Sequence, residues 1–149
     1  TSGQISDALP RWIEEVGAPD IVIVSAPGGN DALEGLSFDD ALANVNAIID
    51  QLQEAHPEVT ILLETMAPTH SDMLESDSDL SNFLSGIQTT VPKVAFDQST
   101  ASSQILVVDV TTDFTNSYLV DDQVHYNEAG ARFVADKHYT VLEDLLETD

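Results

Sequence analysis

Apolar residues recur along this chain in alternating rhythms. Over residues 2–16, Ile5, Leu9, Trp12, Ile13 and Val16 fall at helical spacing, and Trp12 is expected in the core. The break "GAPD" ends that stripe. A continuous β-branched run, "IVIVSA" at 21–26, follows. Its lack of alternation predicts a parallel strand buried on both faces, closed by the Gly-rich turn "PGGND". Ser37, with Asp40 three residues on, is close to a capping box. It opens a second helix in which Phe38, Leu42, Val45, Ile49 and Leu52 recur to about His56. "TILLETMA" at 60–67 is the next strand, and the polar, acidic stretch 69–78 reads as a loop. Leu80, Phe83, Leu84 and Ile87 mark a third helix that Pro92 kinks or restarts. "ILVVDV" at 105–110 is a third buried strand. The last helix runs from about Asn127 to Glu147, with Phe133, Val134, Val141, Leu142 and Leu145 inward.

Helix and strand thus alternate from end to end, which predicts one α/β domain over 1–149 with a parallel sheet and right-handed crossovers. No internal repeat or linker interrupts it. At 149 residues and 42% hydrophobic the chain has a globular composition. No apolar run approaches the ~20 residues that span a bilayer. The chain does not begin with Met, and its first residues lack the form of a signal peptide. That is read as a processed, excised or partial product.

Charge narrows the partners. Twenty-seven acids face four bases, a net charge of −23. Such a surface repels phosphate, which excludes a nucleic-acid platform and disfavours an anionic membrane. Two readings fit the charge. One is adaptation to high salt, where screening shortens to roughly 3 Å at 1 M; the other is an ordinary acidic secreted protein. The scarcity of Lys favours the first. The compartment stays open, with secretion slightly favoured. The chain has no cysteine, so disulfides and Cys-based zinc sites are excluded. The acidic "LESDSDLS" lacks the spaced ligand set of an EF-hand loop.

Two short motifs carry chemistry. In a parallel sheet the strands end at a common edge, where ligands bind. "GGND", residues 28–31, follows the first strand, and "DQVH", residues 122–125, follows the third. Both can reach that edge. His125 suits a general base, Asp122 suits its orientation, and the Asn30 carboxamide suits an oxyanion. Gly28 and Gly29 permit a tight backbone approach. Each motif alone also fits a plain turn or helix cap.

Together, "GGND" and "DQVHYNEAG", with "APDIVIV" before the first and "ARFVAD" after the second, resemble the SGNH, or GDSL-type, hydrolase family over nearly the whole chain. Within it the chain looks most similar to carbohydrate esterases and lysophospholipase-like esterases. The resemblance implies a flavodoxin-like three-layer α/β/α fold and a Ser-His-Asp esterase that needs no metal or organic cofactor. Its substrates would be small-molecule or carbohydrate esters. Asn30 would be the oxyanion-hole residue, and Asp122 and His125 the catalytic pair. Tyr126 stands where the family often has Pro.

The family's Gly-Asp-Ser nucleophile block does not occur in this sequence. Ser25 falls inside a predicted strand, Ser2 lacks a nucleophile's turn, and Thr1 has no supporting architecture. Gly3, the candidate for the family's second-block glycine, falls in a helix start. The expectation is that the first strand or strands, and the serine, lie outside this chain. The 21–26 strand would then show a bare apolar edge that pairs with the missing segment or another chain. The alternative is a non-catalytic binding or scaffold protein of the same fold. An unrelated doubly wound domain is weaker, because it leaves both motifs as coincidence. Of the other side chains, His70 either lines the pocket or is simply exposed, and His56 is structural near a helix end. His138 is expected at the surface. Phe114 and Tyr118 shape a pocket or pack in the core.

Overall fold

The computed structural model describes residues 1–69 and 71–147; His70 lies outside the described residues. The elements run α1 (Ser2–Val16), β1 (Ile21–Val24), α2 (Gly29–Leu33), α3 (Phe38–Ala55), β2 (Thr60–Glu64), α4 (Ser71–Ser76), α5 (Ser78–Gln98), β3 (Ile105–Val108) and α6 (Glu128–Glu147), with a 3-10 turn at Asn116–Tyr118. Among the described residues the strands form one parallel sheet in the order β1-β2-β3, with Ile21 opposite Thr60 and Ile61 opposite Ile105. The fold is α/β with helices on both faces.

The apolar content of each element sets this layering. Ile61 and Leu63 point to one face, where Ile49, Leu52, Leu84 and Ile87 of α3 and α5 bury against them. Leu62 and Val108 point to the other, where Val134, Val141 and Leu142 of α6 pack. Leu62 and Leu63 are both fully buried, each worth about 1.5–3 kcal/mol of transfer free energy. This explains why the central strand shows no alternation. Side chains close the helix starts. Ser37 accepts from the Asp40 N–H at 3.4 Å, and Asp77 accepts from Asp79 and Leu80 N–H at 3.0 Å each.

Several expectations need correction. The strand beginning at Ile21 ends at Val24 and is not buried on both faces. β1 lies at the sheet edge, with Ile21 40% and Ile23 49% exposed. Ser25 therefore stands beyond the strand rather than inside it, in an exposed position. Trp12 is 41% exposed, because α1 packs through Leu9 and Ile13. The stretch read as an acidic loop contains α4, and its Asp77 caps α5. Pro92 neither ends nor restarts α5, which continues to Gln98. Its ring is exposed, so water can satisfy the carbonyl that proline leaves without a donor. The "PGGND" turn winds into the short α2. His138 is buried rather than at the surface. His56 does serve structure: its Nδ1 lies 3.0 Å from the Pro19 carbonyl. Among the described residues no helix is long and apolar enough to cross a membrane.

Candidate active site

The loop between β3 and α6 is built around Asp122. Its Oδ1 accepts from the backbone N–H groups of Val124 and His125, both at 2.9 Å. Its Oδ2 lies 2.7 Å from His125 Nδ1. This is an Asx turn. Gln123 at its crest takes φ 68°, and the Val120 N–H closes the loop onto the His125 carbonyl at 2.9 Å. The His125 N–H, the Val124 N–H and then the His125 ring hold the Asp122 carboxyl down at about 2. A depressed carboxylate stabilises the loop at pH values above its unfolded value near 3.8, and that contribution is lost as pH falls through about 2. The ¹³C signal of the Asp122 carboxyl should therefore titrate near pH 2. A midpoint at the ordinary aspartate value would mean that the turn does not form in solution.

With Nδ1–H donating to Asp122, Nε2 is left as a proton acceptor. The His125 side chain is 78% exposed. Behind it, Tyr126 pairs with Leu119 in an isolated antiparallel bridge. Its phenol is pushed up to about 12, first by burial and then by the charge of Glu64. Asn127 ends the loop: its Oδ1 accepts from the Gly130 N–H at 3.0 Å and caps α6. Gly130 is required for a packing reason. A Cβ there would lie 2.2 Å from the Tyr118 carbonyl oxygen. Gly130→Ala should cost about 1–3 kcal/mol and lower the Tm by several degrees. An unchanged thermal transition by circular dichroism would count against this close approach.

At the other motif, Gly28 takes φ 79°, a left-handed conformation suited to glycine, and packs under Phe83 and Ile87. It starts α2, where Asn30 is exposed and Asp31 is buried at 2%. Asp31 accepts from the Ser2 backbone N–H at 2.8 Å and from Ser2 Oγ at 2.7 Å, tying the loop to α1. The sequence motif pointed to Asn30; the anchoring role of Asp31 needed the position of Ser2.

Asn30 and His125, nearly a hundred residues apart in sequence, line the same cavity of about 300 Å³, together with Ser25, Met66, Thr69 and Val124. Asp122 reaches the cavity through His125. Gly3 lies within α1 against Asn44 and does not form a turn at the cavity. The Ser25 hydroxyl donates to Glu64 Oε2 at 2.6 Å. Phe114 and Tyr118 pack with Phe133 at ring distances of 5.9 and 5.0 Å. They form an aromatic cluster that supports the Asp122 loop. Chemically, the cavity offers an oriented imidazole that can take up a proton and a carboxamide N–H₂ that can donate to a developing negative charge.

Several known proteins of the same shape are esterases. An acetyl esterase, solved as a serine-to-alanine mutant with acetate ion, superposes with a TM-score of 0.83 at 23% identity, over 99% of this chain and 69% of that one. A carbohydrate esterase family 3 protein from Talaromyces cellulolyticus gives 0.81 at 23% identity, over 100% and 69%. The family 3 carbohydrate esterase of Clostridium thermocellum gives 0.79 at 21% identity, over 99% and 67%. At such identities the likeness is one of fold. No curated protein matches the chain by sequence. The family model of GDSL-like lipases and acylhydrolases matches residues 1–133. The chain belongs to the GDSL-like lipase/acylhydrolase family, a family of ester hydrolases.

Proposed function

We propose that this chain is the larger part of a serine esterase acting on carboxylic esters, including acetyl groups carried by carbohydrates. The nucleophilic serine comes from outside these 149 residues, on a strand that pairs with the open edge of β1. One observation carries the reading: the Asn30 carboxamide and an Asp122-oriented His125 share one cavity. The acetyl and carbohydrate esterases of the same fold support the substrate class.

In this mechanism His125 Nε2 accepts the serine proton as the serine oxygen attacks the ester carbonyl. Asp122 holds the ring tautomer and stabilises the imidazolium. The carbonyl oxygen becomes an oxyanion and takes a hydrogen bond from Asn30 Nδ2. The ester C–O bond then breaks, and His125 returns the proton to the leaving alcohol. Water, deprotonated by His125, releases the acid and restores the serine.

The test is hydrolysis of p-nitrophenyl acetate and of an acetylated xylo-oligosaccharide by the full-length protein. Release of p-nitrophenol and acetate is expected, and inertness toward both would sink the esterase reading. It would favour a second one, a non-catalytic binding protein of this fold. The specific observation in its favour is that the sequence contains no Gly-Asp-Ser.

A further inference from the structure

A carboxylate that the mechanism does not use lies behind the cavity rim. Glu64, the last residue of β2, is fully buried. Its strand neighbours Leu62 and Leu63 are equally buried and apolar. An apolar residue of similar volume serves stability at such a position as well or better. Its surroundings point to another use. The register that pairs Val24 with Leu63 brings Ser25 alongside Glu64, and Ser25 Oγ–H donates to Glu64 Oε2 at 2.6 Å. From the opposite side, His138 Nε2 of α6 approaches the same oxygen at 3.7 Å. The His138 Nδ1 is 3.0 Å from the Val134 carbonyl and donates there, so the 3.7 Å approach of Nε2, which has no hydrogen-bond partner, is an ion pair with Glu64 when the ring carries a second proton.

One carboxyl group therefore lies between Ser25, which precedes the Asn30 loop, and α6, which follows the His125 loop. Ser25 leads into the Gly-rich loop through Ala26 at φ 45° and Gly28 at φ 79°, a short link with little slack before Asn30. On the other side, α6 starts directly after the His125 loop and is capped by Asn127. Fixing His138 fixes that helix. We propose that Glu64 is a positioning residue that holds the Asn30 loop through Ser25 and the His125 loop through α6, and so sets the spacing between the two. The inference rests on the esterase reading for its consequence in turnover, but its geometric content can be read separately.

Three variants of the full-length protein test it: Glu64→Leu, Glu64→Gln and Ser25→Ala, each followed by p-nitrophenyl acetate kinetics and by backbone amide chemical shifts. In Glu64→Leu, kcat should fall roughly tenfold to a hundredfold, the scale of a misplaced catalytic group, with KM little changed. Amides at both 28–31 and 122–126 should move. Glu64→Gln keeps an acceptor for Ser25 and supplies a donor for His138 Nε2, so it should recover most of kcat and both sets of shifts. Ser25→Ala, at an exposed residue, should move the 28–31 amides and leave 122–126 in place. Wild-type kcat in Glu64→Leu, shifts confined to β2, or no recovery in Glu64→Gln would overturn the proposal. Where Glu64→Leu does not fold, Ser25→Ala decides: unmoved 28–31 amides overturn it. A wild-type protein without turnover would defeat the esterase reading alone, because the amide pattern would still judge the positioning.

Discussion

Full-length protein carrying His125→Ala is expected to hydrolyse p-nitrophenyl acetate roughly 10²–10⁴-fold more slowly in kcat than wild type, with KM little changed. That is the usual range for loss of a general base. In the proposed mechanism the imidazole is the proton acceptor; Asp122 holds it at 2.7 Å in the cavity that Asn30 also lines. Alanine leaves a neutral serine hydroxyl to attack without a base, and the leaving alcohol departs without a proton. Folding should be spared, because the side chain is 78% exposed. The Asp122 turn is kept as well, since it rests on backbone N–H groups that alanine retains. A variant with native circular dichroism and wild-type turnover would remove His125 from the mechanism and end the esterase reading in this form.

Asn30→Ala should lower kcat by roughly 10²–10³-fold, the effect of deleting one oxyanion donor, equivalent to about 2.7–4 kcal/mol of transition-state stabilisation. The carboxamide donates more strongly to the charged intermediate than to the neutral ester, so the loss belongs in kcat and leaves KM nearly alone. Asn30 is exposed in α2, and Asp31, not Asn30, anchors that helix to Ser2. The variant should therefore melt close to wild type. A rise in KM with unchanged kcat would make Asn30 a substrate-binding residue and leave the oxyanion without its proposed donor.

Much of this architecture was legible in order and spacing. Ile21–Val24, Thr60–Glu64 and Ile105–Val108 are short β-branched or apolar runs between amphipathic stretches, and such alternation admits few folds. "GGND" and "DQVH" were readable as a pair because both follow strands of one parallel sheet. Strand ends were less legible. Ala26, Met66 and Ala67 continue the apolar tone of their strands, yet Ala26 and Met66 take φ 45° and 63°, so the chain turns where hydrophobicity gives little sign of it.

Sequence by itself determined the alternation of the three strands with the four long helices, the parallel sheet and the candidate trio Asn30, Asp122 and His125, because periodicity and short-range motifs are properties of neighbouring residues. Only the tertiary structure decided the rest. It exposed Trp12 on the outer side of α1 and buried His138 against Glu64. It also brought Asp31 to Ser2 and Ser25 to Glu64. The physical reason is common to the last three. A polar side chain answers to whatever group meets it in space, and those meetings span 29 to 74 residues of chain that no local pattern records.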